Sequence, residues 1–399
     1  MVSDVSFLRA ALERRLRAAY TKLCHGSLSL VSTADLNVPF SSLVAQSSSS
    51  VPAGSPPKNR IRRRSEAQSS DHRLLQAVSA VLLNPISLPW DVVDYAATPA
   101  HERCEKFPPP PLVHLSSAAT LVDVNGVIIV WYLPNVLPTI LQKELLDAVP
   151  VINPLLSQSV KPNTVRCSRT GIAKPTNWRI AQKNFITTAH SPKVAGGSVN
   201  FSPGWFAQGH TSSTHCLRPS LNLRKSVEAR AWLSKTTRAE MFLNHLLSLT
   251  HPALFDEASK ALSLLQSHAD TKSVARAWTS VFSGVAVIAN RVTPKHTDRF
   301  GAPSWYDSLA SVGLFSQASL DLPGLGISLS YAPGTVVNLC GNIIEHEVKR
   351  WGKQDRVCYA HFMRKAVFDR LGVASASWVK QVDFGGLADA LARRPTCFV

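Results

Sequence analysis

The sequence predicts an α+β fold: a double-stranded β-helix core of the jelly-roll or cupin-like kind, buttressed by helices and preceded by a partly disordered N-terminal extension. Three observations predict it. Downstream of residue 281, short β-rich runs alternate with turn chemistry, as in Leu325 to Tyr331, then Ala332-Pro333-Gly334, then Thr335 to Leu339, the pattern of many short strands. Two long apolar-periodic stretches, Val227 to Leu249 and Pro252 to His268, read as helices long enough to buttress a sheet. Ser41 to Ser70 is rich in Ser, Pro and Arg, a composition with too little apolar surface to order itself.

In chain order, Phe7 to Leu23 places Leu8, Leu12, Leu16 and Ala19 on one face, an amphipathic helix within an N-terminal segment of residues 1–40. Residues 41–73 form a disordered basic linker. Its Lys58 to Arg64 run reads either as a nuclear-import or phosphate-binding patch or as a solvated charge run. Residues 74–114 are a lead-in, helical over Leu74 to Leu83 and stiffened by Pro108 to Pro111. The core domain spans 115–372. It opens on a hairpin between Ala119 and Leu133, turned at Asn125-Gly126, followed by a helix over Leu141 to Val149. Val285, Val287 and Ile288 mark a buried strand within Val281 to Val292. Ile343 to His346 is a further strand, and Arg356 opens another, Val357 to Val367, after the turn Trp351-Gly352-Lys353. The tail, 373–399, carries no pattern that assigns it.

Composition narrows the class. Lys+Arg number 43 against 26 Asp+Glu, a formal charge of +17. Discounting Lys58, Arg60, Arg62, Arg63 and Arg64 still leaves +12, so the excess is spread through the chain, as expected of a protein that tracks a polyphosphate. The seven cysteines are scattered and never spaced Cys-x-x-Cys, which argues against a disulfide framework or zinc ribbon and for a reducing compartment. With no charged-then-apolar leader and no apolar run of membrane-spanning length, an intracellular monomer without membrane contact is expected.

The motif that carries chemistry is His-x-Asp, which occurs twice, at His268-Ala269-Asp270 and His296-Thr297-Asp298. The first ends a helical pattern. The second follows the Val285 strand, and rigid sheet is the better seat for metal ligands. His346 lies downstream, with Arg356 ten residues beyond it. Two imidazoles and one carboxylate are the donor set of the facial triad that holds non-haem Fe(II) with coordination positions open. A guanidinium on the next strand can grip a carboxylate by a two-pronged contact.

Taken in order, Val122-Asp123 to Gly126, Trp131 to Pro134, Asn177-Trp178-Arg179, Phe201 to Trp205, Asn290-Arg291, His296-Thr297-Asp298, Tyr331 to Thr335, His346 and Arg356 through Arg364 resemble the TET/JBP group of 2-oxoglutarate- and Fe(II)-dependent nucleic-acid dioxygenases, most closely its fungal, transposon-associated branch. The resemblance covers roughly residues 115 to 370. It implies that His296, Asp298 and His346 bind Fe(II) and that Arg356 meets the distal carboxylate of 2-oxoglutarate. Asn290 and Arg291 are expected to contact cofactor or base, or else to cap a strand end. Strand alternation puts Cys358, Ala360, Phe362 and Arg364 on the face of Arg356, making Phe362 the stacking residue for a flipped base and Arg364 the polar one. A bulge would exchange them for Tyr359 and His361. Two positions depart from the family pattern: Arg364 stands where a base-reading His or similar residue is usual, and Arg299, Phe300 and Gly301 stand where an acidic residue is frequent.

The implied function is oxidation of 5-methylcytosine in double-stranded methylated DNA to 5-hydroxymethylcytosine and further oxidised forms, in the nucleus, with molecular oxygen as co-substrate. Removal of the methyl of N6-methyladenine by the same chemistry is the nearest alternative. A non-catalytic DNA-binding protein of transposon origin, or an oxygenase of a protein or small molecule, would be the reading from another class.

Overall fold

The computed structural model describes residues 74–384 apart from 75–77, 79–80, 83–84, 167–170, 187–192, 207–214, 350 and 353. The helix, linker and charge run expected within 1–73, and the tail beyond 384, lie outside the described residues.

Fifteen strands form among the described residues. In chain order they are β1 Pro85–Ser87, β2 Val113–Leu115, β3 Ala119–Val122, β4 Ile128–Leu133, β5 Thr164–Arg166, β6 Ala173–Pro175, β7 Gly197–Phe201 and β8 Gly284–Ala289. They continue with β9 Thr293–His296, β10 Asp307–Gly313, β11 Ser319–Leu322, β12 Ile327–Ser330, β13 Val336–Leu339, β14 His346–Val348 and β15 Arg356–Phe362. An eight-stranded sheet runs β1-β3-β4-β13-β10-β15-β8-β7, and a five-stranded sheet runs β2-β12-β11-β14-β9. The chain passes repeatedly between the two, which is the double-stranded β-helix. The β3–β4 hairpin turns at Gly126, whose φ of 72° only glycine adopts without strain, and the Asp123 carboxylate accepts from Asn125 N and Val127 N to lock it.

Four helices matter for the site: α1 Thr139–Ala148, α2 Val227–Thr250, α3 Pro252–Ser267 and α4 Lys365–Leu371. The first two cover the outer face of the large sheet, and the period-two geometry of β15 decides what they touch. Tyr359 donates its hydroxyl to Leu145 O of α1 and lies parallel to Trp232 of α2 at 6.1 Å. His361 Nε2 reaches Glu240 of α2 at 2.9 Å. The alternate residues, Arg356, Cys358, Ala360 and Phe362, are left for the opposite face.

The structure shortens the last strand. Pairing stops at Phe362, and the stretch expected to stay extended to Val367 turns into α4. Val367, Phe368 and Leu371 follow helical rather than alternating spacing, Lys365 pairs with Asp369 one turn on, and Gly372 at φ 64° closes the helix. Residues 373–384 then run back over the core: Lys380 bridges Val127, Ala376 O accepts from Ser304 Oγ, and Phe384 meets Trp131 edge-on at 5.4 Å. Among the described residues no helix is long and apolar enough to cross a membrane.

His251 joins α2 to α3 and gives the fold a pH dependence. Its Nδ1 accepts from Leu254 N at the start of α3 while its Nε2 donates to Ser304 O, so the ring works only when neutral. Burial pushes its pKa down to about 4 from 6.5, against the opposing pull of Ser304 O. The unfolded chain therefore binds one more proton than the folded one between those values, and stability falls as pH drops from about 6.5 to about 4. Chemical denaturation followed across that window should show the loss, and His251→Gln should flatten the part due to this residue.

Candidate metal centre and cofactor pocket

The sheet register brings the two distant histidines together. β9 and β14 are antiparallel neighbours with His296 directly opposite His346, and the ring centroids lie 4.2 Å apart. Asp298 follows two residues past the strand end, pinned by its N–H donating to Gly341 O at 2.8 Å. Its Oδ1 is 3.7 Å from His296 Nε2 and its Oδ2 is 3.6 Å from His346 Nε2. All three donor atoms lie within 4.8 Å of one another, and among the described residues this is the one such cluster.

The local chemistry fits a divalent metal. Nδ1 of His296 lies 2.9 Å from Pro294 O, and Nδ1 of His346 lies 3.0 Å from Ile344 O. A carbonyl can only accept, so each Nδ1 carries the proton and each Nε2 lone pair points inward, the outer-shell arrangement that orients metal-bound imidazoles. Burial, with the His346 ring adding to it, holds His296 down at about pKa 4. Burial works to raise the Asp298 carboxyl, but the neighbouring His346, then His296 and Arg179, prevail and keep it below the usual carboxylate range. A neutral ring beside an ionised carboxylate is the protonation state metal ligation requires. The other His-x-Asp forms no such site: exposed His268 ends α3, and its Nδ1 accepts from Asp270 N.

A cavity of about 470 Å³ opens on this cluster. At one side Arg356 begins β15, 2% exposed, its guanidinium packed against the rings of Tyr331, Trp351 and Phe315 at 4.9, 5.2 and 5.8 Å. Arg291 enters from the β8–β9 link, over the Trp178 ring at 5.0 Å and donating to Arg179 O at 3.1 Å. Burial first and Arg179 second lower its pKa to about 10, so it remains charged at neutral pH. The Nε atoms of both arginines are buried without a hydrogen-bond partner. Two enclosed guanidiniums beside a metal donor set are built to receive an anionic ligand, and a dicarboxylate such as 2-oxoglutarate answers that charge.

The opposite side of the cavity carries Phe362 and Arg364. The Phe362 ring lies over Gly284, where an added Cβ would approach it to 2.6 Å, so the glycine makes room for the ring. Arg364 sits over Trp205 at 4.6 Å, Phe300 at 5.1 Å and Phe362 at 5.5 Å, its Nε also unpartnered.

Two expected contacts fall elsewhere. His361 borders the cavity, but its imidazole is turned through the sheet to Glu240 and packs beside Phe282. No bulge interrupts β15, so alternation sends it to the helix layer. Asn290 does not line the cavity and takes the strand-end role expected as its alternative. It holds a left-handed φ of 54°, its Nδ2 donates to Asp355 Oδ1 at 2.9 Å, and its Oδ1 accepts from Arg356 N at 2.9 Å. It is the clamp that sets where Arg356 begins. Asn290→Ala removes both bonds and leaves a β-carbon at positive φ, for an expected loss of about 1–3 kcal/mol; chemical denaturation measures it.

Several residues of the site drew no role from the sequence. Trp178 meets His296 edge-on at 4.7 Å and Arg179 Nη2 lies 3.4 Å from Asp298 Oδ1. Their tripeptide was visible as a motif, but nothing local ties it to a strand 118 positions away. Asp307 lines the cavity buried, its carboxyl driven well above the usual range by burial and by the Asp298 charge; a lone acid at the start of a mixed strand gives no sequence signal.

Residues 202–365 match the family model described as the oxygenase domain of the 2OGFeDO superfamily, Tet_JBP, a span that holds the three metal donors and Arg356. No curated protein matches the chain. Among solved structures it is similar to NgTET1 in complex with 5mC DNA, at 15% identity and a TM-score of 0.44, covering 75% of this chain and 91% of that one.

Proposed function

We propose that this chain is a DNA dioxygenase that uses Fe(II) and 2-oxoglutarate, a reading supported by the match of residues 202–365 to the Tet_JBP oxygenase-domain model of the 2OGFeDO superfamily. Its substrate on this reading is 5-methylcytosine in duplex DNA, oxidised to 5-hydroxymethylcytosine and further forms within the nucleus. The observation that carries it is the two-sided cavity: an enclosed guanidinium pair on one side of the His296, Asp298 and His346 cluster, an aromatic ring with a third guanidinium on the other.

His296, Asp298 and His346 would hold the iron, and Arg356, with Arg291, would fix the keto acid. When bound, these supply the oxidation: one oxygen atom converts 2-oxoglutarate to succinate and carbon dioxide and the other enters the methyl C–H bond. The protein's own part is placement. A base must leave the stack, at a cost of a few kcal/mol, and stacking on an aromatic ring such as Phe362 recovers about 1–3 kcal/mol. Arg364 decides the base, because a guanidinium only donates. Cytosine presents N3 and O2 as adjacent acceptors that two N–H groups can meet together. N6-methyladenine presents N1 and N7 on separate edges, with the methylamino group between them, so no two adjacent acceptors meet a guanidinium there. The Arg364 ring contacts hold those donors in place, which supports the cytosine reading over the adenine one.

Phe362→Ala should lower kcat/KM on duplex substrate by about fivefold to about 150-fold, the kinetic equivalent of one stacked base, while leaving iron affinity unchanged. The reading as a whole is tested by mass spectrometry of two duplexes, one carrying 5-methylcytosine and one N6-methyladenine, incubated with Fe(II), 2-oxoglutarate and oxygen. Appearance of 5-hydroxymethylcytosine is expected. Loss of the adenine methyl alone reassigns the base, and no change in either overturns nucleobase oxidation.

A further inference from the structure

Although the positive excess is not confined to the Lys58 to Arg64 run, it is uneven along the rest of the chain. From Ala148 to Val227, 80 residues, the chain has ten Lys or Arg and no Asp or Glu, although it holds 26 acids in all. More than half of the +17 therefore sits in one acid-free segment.

The fold joins the first part of that segment to the cavity wall. β5 and β6 pair only with each other, as a separate two-stranded ribbon, and every residue of both is exposed. Lys161, Arg166, Lys174 and Lys183 are exposed on the ribbon and its roots. Those roots are tied down: Lys161 N donates to Ile180 O, Thr176 N to Asn163 O, and Lys183 N to Asn163 Oδ1. The chain leaving the ribbon supplies Asn177, Arg179 and Ile180 to the cavity wall. It then bridges to the link that leads into the metal-bearing strand, through Phe185 with Arg291 and through Val292 N to Asn184 O. The ribbon thus stands on the same rigid seat as the metal donors.

Among the described residues, the one carboxylate in ion-pair range of these cations is Asp298, which pairs with Arg179. Ordinary soluble surfaces intersperse the two signs, and like charges gathered on a ribbon repel one another. A polyanion removes that repulsion, and duplex DNA presents one charge per about 1.7 Å of axis.

We propose that the β5–β6 ribbon grips the phosphate backbone of the DNA duplex while a base enters the cavity. This rests on the reading of the site as a DNA oxygenase and adds to it the surface that positions the duplex. The contacts are to phosphate and read no sequence.

The test is a variant of the full chain with Arg166→Gln, Lys174→Gln and Lys183→Gln, all exposed and outside the core, with an unchanged thermal midpoint as the fold check. Affinity for a methylated duplex is measured across salt concentrations. If all three cations meet phosphates, the log–log slope loses about 2.7 in magnitude and affinity near 0.1 M salt falls on the order of 500-fold. Oxidation of free 5-methyl-2′-deoxycytidine stays at the wild-type rate. Wild-type duplex oxidation together with an unchanged slope in the variant overturns the ribbon assignment. A slope loss seen with duplex RNA but not duplex DNA overturns the choice of partner. A wild-type protein that oxidises no DNA overturns the underlying site reading instead, whatever the variant does.

Discussion

Arg356→Met is expected to weaken 2-oxoglutarate binding by about tenfold to about 150-fold, the loss of a charge-assisted contact of about 1.5–3 kcal/mol. The protein without ligand should be no less stable for it. Its guanidinium is 2% exposed, held against Tyr331, Trp351 and Phe315, with Nε unpartnered, and replacing a buried charged group by an apolar one of similar volume is often neutral or stabilising. What should change is the coupling between ligand and fold. At a concentration one hundred times its dissociation constant, 2-oxoglutarate stabilises the wild type by about 2.7 kcal/mol. At that same concentration the variant should gain only about 0.3–1.4 kcal/mol. Thermal unfolding with and without the keto acid, in the presence of Fe(II), measures the difference. An equal ligand-induced rise in both proteins would place the keto acid elsewhere.

His346→Ala should bring both succinate formation and methyl oxidation to background. Removing a group that only orients a metal ligand costs about 10–100-fold, and deleting a donor itself should cost more. The loss should appear in metal affinity as well as in turnover, because the remaining His296 and Asp298 cannot complete the set. The fold should survive, since the His346 side chain holds its place through one hydrogen bond to Ile344 O and sits on a strand of only three residues. Keto-acid turnover measured beside circular dichroism separates loss of the centre from loss of structure.

How much of this was legible in the sequence follows from which interactions are local. The residues of β15 that share the face of Arg356 are readable because an uninterrupted strand alternates strictly, and no bulge intervenes. The choice of His296 over His268 is readable because one follows an apolar strand and the other a helical pattern. The end of β15 is misread because Val367 and Phe368 taken alone suit a strand as well as a helix, and the helix is decided further on, by Leu371, the Lys365–Asp369 pair and the Gly372 cap. Asn290 takes the strand-end role rather than the cavity contact for a local reason: its left-handed backbone turns its amide to Asp355 and Arg356 N, and a local sequence shows polarity but not direction. The partner of His361 lies 121 positions away on α2, and the edge contact of Trp178 with His296 crosses from one segment to another. Pairings of this kind exist only once the sheet and its helices are assembled.

Calorimetric titration under anaerobic conditions tests the convergence of His296, Asp298, His346 and Arg356 most directly. The expected result is one Fe(II) bound per chain, 2-oxoglutarate binding that tightens when the metal is present, loss of the metal heat in His346→Ala, and weakened keto-acid binding with intact metal binding in Arg356→Met. Fe(II) binding of equal strength in wild type and His346→Ala would contradict it.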